Sequence, residues 1–426
     1  MTHAESVRDA PARWPLDDEP HVERWCAYAD EARGDGVFEA LRRRFVQLRC
    51  PIAAGISQHD AYRRATLRGE FEAAEAFAPG LALERPDALE LRIVQTLAGR
   101  VPAIVAETRA DFVTLVQALT ARHEPADVPA SMGACLVSGL TNWDRVARHR
   151  AQWTADVGPQ AASAAAWAEE LRRLAPRKAL YQDRVMLLSR GPYAGVPACD
   201  VGLDERTWLD RSLIVRQEHE LTHYFTWRVF GAMQNHLRDE LLADYVGLLR
   251  GCGEYRADVA QRVLGIDADG VCRPDARLRI YHGDAPVGDV DADMATLGRV
   301  AARATRALAS VAASCGARAA DLEVLARIVS TLYPRSLEDL ALLDGGTLLD
   351  GASADLALGD LDAWLSSDSA RTTRLASADR TPGDSTPDSA GVVEASASAS
   401  DSESDSASVA SGRNAARTRA DKRSSG

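Results

Sequence analysis

The chain has 426 residues, 46% of them hydrophobic, and a net charge of −12. That is enough apolar material for two or three packed units. The acidic balance is the wrong sign for gripping phosphates, so no nucleic-acid partner is expected. No run of roughly 18 uncharged apolar residues occurs, which argues against a membrane-spanning helix and a membrane partner. The opening MTHAESVRDAPARW lacks the basic-then-apolar pattern of a secretory leader, and a cytoplasmic location is expected. Seven scattered cysteines without C-x-x-C spacing argue against a disulfide framework or a thiolate zinc knuckle. Most are expected to be small buried hydrophobes.

In chain order, residues 1–85 read as a helical region. DGVFEALRRRFVQLRC repeats apolar residues at three and four, and SQHDAYRRATLRGEFEAAEAFA begins at Ser57, a candidate N-cap. Residues 86–260 read as mixed α/β. LELRIVQ and VPAIVAE form strands joined through TLAGR, and RADFVTLVQALTARH forms a helix. ACLVSGL and DRVMLLSRG form two more strands, separated by helical NWDRVARHRAQW and an alanine-rich stretch. Residues 261–365 are helical again, with long amphipathic stretches closed by Gly316 and Pro334. From Ser366 to 426 a Ser/Ala/Asp-rich tail has almost nothing to bury and is expected to be disordered. Its nine acids face eight bases, leaving −11 of the net charge to the rest of the chain. The fold class is therefore α+β and helix-rich.

The segment RQEHELTHYFTW belongs to a helix expected to start at Asp204, a good N-cap, and to end at Gly231. At 100° per residue, His219 and His223 lie about 40° apart on one face, close enough to grip one ion. Glu220 projects beside that face. Leu221, Phe225, Val229 and neighbouring aromatics make the helix interior, where unpaired polar groups would cost several kcal/mol. A metal would remove that cost. Downstream, with Asn235 as a cap, HLRDELLADYVGLLRG forms a second amphipathic helix that stops at Gly251 and Gly253. On it Glu240 and Asp244 fall four apart on one face, so Glu240 can bind the ion while Asp244 accepts a hydrogen bond from a ligating imidazole. Asp244 itself is the alternative third ligand, and His236 a weaker one.

His219-Glu220-x-x-His223 followed by Glu240-Leu241-Leu242-Ala243-Asp244 resembles the gluzincin group of zinc metallopeptidases. The likeness covers about thirty residues, Glu218 to Leu248. It implies a zincin-like mixed sheet with an active-site helix, one Zn2+ held by His219, His223 and Glu240, and Glu220 as the general base on water. It also implies a peptide or protein substrate. Zincins commonly place a substrate-binding strand before the catalytic helix, and DRVMLLSRGPYAGVPA is where such a strand is expected, with a core strand as the alternative. Oxyanion donors are sought among Tyr193, Tyr245, His236 and His282. The helices after Arg250 are expected to wall the cleft. Two other readings remain: a zincin-like binding protein without activity, and a zinc amidohydrolase acting on a non-peptide substrate. Ser131 and Cys135 lack a nucleophile elbow and read as a packed strand and turn.

Overall fold

The computed structural model of the chain describes residues 15–231, 236–281 and 290–343. Its elements in order are α1 (Val22–Asp35), α2 (Val37–Arg44), α3 (Asp60–Arg68), the hairpin β1 (Glu90–Thr96) and β2 (Gly99–Ala106), α4 (Arg109–Thr120) and β3 (Ala134–Thr141). There follow α5 (Trp143–Val157), α6 (Ala164–Leu174), β4 (Gln182–Ser189), α7 (Ala198–Val201), α8 (Glu205–Phe230) and α9 (Leu237–Cys252). The last helices are α10 (Ala257–Leu264), α11 (Val290–Cys315), α12 (Leu322–Leu332) and α13 (Leu337–Ala341). The molecule is α+β and helix-rich, with one small mixed sheet. The sequence from residue 344 on, including the tail, and Asn235 lie outside the described residues. No helix among the described residues is long and apolar enough to cross a membrane.

The sheet runs β1-β2-β4-β3, with β2 parallel to β4 and the outer pairs antiparallel. Because side chains alternate along a strand, each strand feeds two cores. Ile104, Cys135, Val137, Val185 and Leu187 pack with Trp25, Tyr28, Phe38 and Phe112 from α1, α2 and α4. Ala103, Val105, Leu136, Met186 and Leu188 face the other way, into a core built with Trp208, Val215, Tyr224, Leu241 and Tyr245 of α8 and α9. Helices from the first 85 residues thus share a core with the sheet. A buried polar cluster reinforces the junction: Asp183 of β4 accepts from Trp25 Nε1 (2.8 Å), Asn142 Nδ2 (2.6 Å) and Arg145 Nη1 (2.5 Å).

Several local expectations change. Ser57 lies in a short 3-10 turn, and the cap of α3 is His59, whose Nδ1 accepts the Ala61 N–H. The stretch beyond Ser57 is not one helix. It breaks at Gly69, at φ +70° and so close to Trp143 that a Cβ would sit 2.5 Å from the indole. The second helix of the candidate site does not stop at Gly251: α9 continues to Cys252 and is closed by left-handed Gly253. Only Cys50 and Cys135 are buried; Cys199 is exposed and the other four are intermediate. Finally, β4 pairs with β3 along most of its length and with β2 from Met186 to Ser189, so the DRVMLLS segment is an interior strand of the sheet. The edge nearest α8 belongs to β3, whose only strand partner among the described residues is β4.

Candidate metal centre

α8 has the expected ends. Asp204 accepts the Thr207 N–H at 2.9 Å, and Gly231 closes the helix in the left-handed region at φ +73°. α9 returns against it at close range. A Cβ on Gly247 would stand 2.7 Å from the carbonyl oxygen of Val215, and one on Gly251 would stand 2.5 Å from a Val215 methyl and 3.0 Å from the Arg211 carbonyl. These two glycines let the helices approach, which brings the start of α9 beside His219 and His223 of α8. The short connection after His223 is therefore sufficient.

Three buried side chains converge there. His219 Nε2 lies 3.2 Å from His223 Nε2 and 3.4 Å from Glu240 Oε2, and His223 Nε2 lies 3.5 Å from Glu240 Oε1. His219, His223 and Glu240 form a group that could hold a metal ion. The fit to an ion is geometric as well as chemical. Donors about 2.0–2.1 Å from a common tetrahedral centre are separated by about 3.3–3.4 Å; the two Nε2 atoms stand close to that separation, and each has one oxygen of Glu240 near it. Without an ion, a proton on His219 Nε2 has to take its place between the imidazoles and the carboxylate.

Asp244 takes the outer position. Its Oδ1 accepts from His219 Nδ1 at 2.9 Å, which turns Nε2 toward His223 and Glu240. Tyr193 donates its hydroxyl proton to the same oxygen at 2.5 Å, with the hydroxyl 3.0 Å from His219 Nδ1. The Tyr193 turn is itself anchored to α8: Ser212 Oγ accepts the Tyr193 N–H at 2.9 Å. Arg216, one turn before His219, donates to the carbonyls of Gly191 (2.6 Å) and Pro192 (2.7 Å). Burial, with no carboxylate in contact, brings the Arg216 guanidinium down to about 10.

Arg277, from the turn between α10 and α11, closes the site. Its Nη2 donates to Glu240 Oε2 at 2.7 Å and its Nη1 to Asp244 Oδ2 at 2.8 Å. Burial opposes charge on these acids, but His223 and His219 hold the Glu240 carboxyl well below its ordinary range, and Arg277 lowers that of Asp244. Burial also opposes charge on His219, yet hydrogen bonds to Asp244 and Glu240 outweigh it and raise the imidazole to about 9. Glu220 differs. Burial raises its pKa against the pull of the two histidines. Among the described residues its carboxylate makes no hydrogen bond, and it is only partly covered. That leaves a carboxylate beside the donor group whose lone pairs are uncommitted.

The sequence-selected residues separate as follows. His219, His223, Glu240, Asp244, Glu220 and Tyr193 come together. Tyr193 spends its proton on Asp244 and therefore orients a ligand. Tyr245 is fully buried, packs on Tyr255 at 5.0 Å and has a hydroxyl with no hydrogen-bond partner among the described residues. His236 is an exposed residue at the start of α9, and His282 lies outside the described residues. Cys135 is a buried strand residue whose thiol is pushed up by burial and then by the Glu220 charge, so it stays protonated. Sequence reasoning missed Arg277, Arg216 and Ser212. A cluster of three carboxylates does call for a cation, but nothing in the spacing selects one arginine among the chain's 50 basic residues.

A protein-family model described as "Family of unknown function (DUF7005)" matches residues 2–344. The chain belongs to that family. The match takes in both cores, all four strands and every member of the donor group. No curated protein and no solved structure matches the chain.

Proposed function

We propose that this chain is a zinc-dependent metallopeptidase of the gluzincin kind, cleaving peptide bonds with Glu220 as general base. The observation that carries the reading is the donor group His219, His223 and Glu240, spaced for one ion, with Asp244 on the far nitrogen of His219. Two imidazoles and a carboxylate suit zinc better than the hard cations, which prefer all-oxygen sites. When bound, the ion would supply Lewis acidity toward a carbonyl and toward water.

The chain's own groups do the rest. Asp244 and Tyr193 hold His219 in the tautomer that points Nε2 inward. Burial raises the proton affinity of the Glu220 carboxylate, which suits it to take a proton from water and return it to the leaving nitrogen. Of the strands near α8, β3 has the outer edge on which an extended substrate can pair. The Tyr193 proton is committed to Asp244, so Tyr193 serves as an orienting group in this reading.

The test compares the purified full chain with Glu220→Gln and with a His219→Ala/His223→Ala double variant, by elemental analysis and by cleavage of a peptide library. The wild type is expected to carry one zinc per chain and to cut. The Gln variant is expected to keep the zinc and lose at least about 10²–10⁴-fold in rate. Zinc retained by the double variant would overturn the site, and zinc without cleavage of any peptide would overturn the peptidase.

A further inference from the structure

We propose that Arg277 is a positioning residue that makes Glu240 a ligand through Oε1 alone, and so keeps the centre four-coordinate with one open position. The inference rests on the metal centre proposed above. A carboxylate can grip an ion with one oxygen or two, and the number sets how many positions remain for water or substrate. Here the oxygens of the two α9 acids are divided between two tasks. Arg277 takes Glu240 Oε2 and Asp244 Oδ2, at 2.7 and 2.8 Å, as the two arms of one fork. The remaining oxygens face the histidines: Asp244 Oδ1 lies 2.9 Å from His219 Nδ1, and Glu240 Oε1 lies 3.5 Å from His223 Nε2.

Glu240 Oε2 is also 3.4 Å from His219 Nε2, near enough to serve as a ligand if it were not already engaged. A charge-assisted bond from a guanidinium is among the stronger hydrogen bonds; it takes one of the two lone pairs on Oε2 and turns that oxygen toward Arg277, at the expense of a second bond to an ion. The guanidinium is itself fixed. Its Nε is directed at the Tyr281 hydroxyl at 3.3 Å, and its Cζ lies 5.9 Å from the Tyr193 ring centroid and 5.8 Å from that of Tyr281. It also cancels the repulsion of two carboxylates spaced i,i+4 on one helix face. A lysine could supply the charge but not the two parallel arms, so charge and fork are separable by experiment.

The experiment loads the full chain, stripped of metal, with Co2+ and records the visible spectrum and the binding isotherm for wild type and Arg277→Lys. The wild type is expected to take up one Co2+ with the intense absorption of a four-coordinate ion. Arg277→Lys is expected to bind one ion roughly 10–100-fold more weakly, with a band at least about twofold weaker as the freed oxygen raises the coordination number. A lysine variant with the wild-type band would overturn the inference and leave the metal centre standing. A wild type that takes up no Co2+ would overturn both. If Arg277→Lys does not fold, X-ray absorption at the zinc edge of the loaded wild type decides. Four nitrogen or oxygen neighbours are expected, and a fifth from the same carboxylate overturns the inference.

Discussion

At the scale of single residues, the centre is a competition between protons and an ion for one set of lone pairs. His219 in the metal-stripped chain titrates at about 9, above its ordinary 6.5. Its contribution to stability is therefore fully present below about pH 6.5 and is lost as pH rises through about 9. Denaturant titrations of the stripped chain between these limits are expected to show that loss. An ion must displace the same proton, so apparent zinc affinity is expected to rise about tenfold per pH unit up to about pH 9. Competition with a chelator at several pH values measures it, and a pH-independent affinity would contradict the assignment of His219. Asp244→Asn, which removes the charged acceptor from His219 and one arm's partner from Arg277, should weaken zinc binding by roughly 10–100-fold, read by the same competition.

At the scale of elements, the α8–α9 contact decides whether the donors meet. Gly247 and Gly251 are not needed for unusual backbone angles; they are needed because a methyl group would meet backbone atoms of α8. Gly247→Ala gains helix propensity, by about 1 kcal/mol, yet it must push α9 away from the Val215 carbonyl. A net loss of about 1–3 kcal/mol is expected in chemical denaturation, together with weaker zinc binding because Glu240 and Asp244 move with the helix. An alanine variant as stable as wild type would show that the helices have room. The Tyr193 turn is the other adjustable element. Arg216→Met removes its two short bonds to the carbonyls of Gly191 and Pro192, and a loss of about 2–4 kcal/mol is expected from unpaired buried acceptors and lost charge-assisted bonds.

At the scale of the whole molecule, α8 is a strut shared by sheet, site and C-terminal helices. It lies against β3 and β4 on one side and α9 on the other, and α9 in turn contacts α10 to α13. Ion binding at α8 and α9 is therefore expected to stabilise the protein as a unit. With free zinc at 100 times its dissociation constant, the gain is about 2.7 kcal/mol. Far-ultraviolet circular dichroism and tryptophan fluorescence should shift together on chelation. Separate transitions would show that the sheet with α1, α2 and α4 unfolds independently of the site.

Much of this is legible in the sequence. Periodicity located the four strands and the major helices because strands and helices bury alternate and every-third-or-fourth residues. Asp204 and Gly231 marked the ends of α8 because capping is local chemistry. The His-x-x-x-His spacing placed two imidazoles on one face because helix geometry is fixed. Three things were decided only by tertiary structure. The order of the strands, which put β4 inside the sheet and β3 at its edge, depends on long-range pairing. The residue that stands against Gly69 is Trp143, more than seventy residues away. Arg277 reaches Glu240 and Asp244 across more than thirty residues, and no local rule couples a guanidinium to carboxylates that far apart in sequence. Spacing along the chain fixes what one element presents. What stands opposite that face is set by packing.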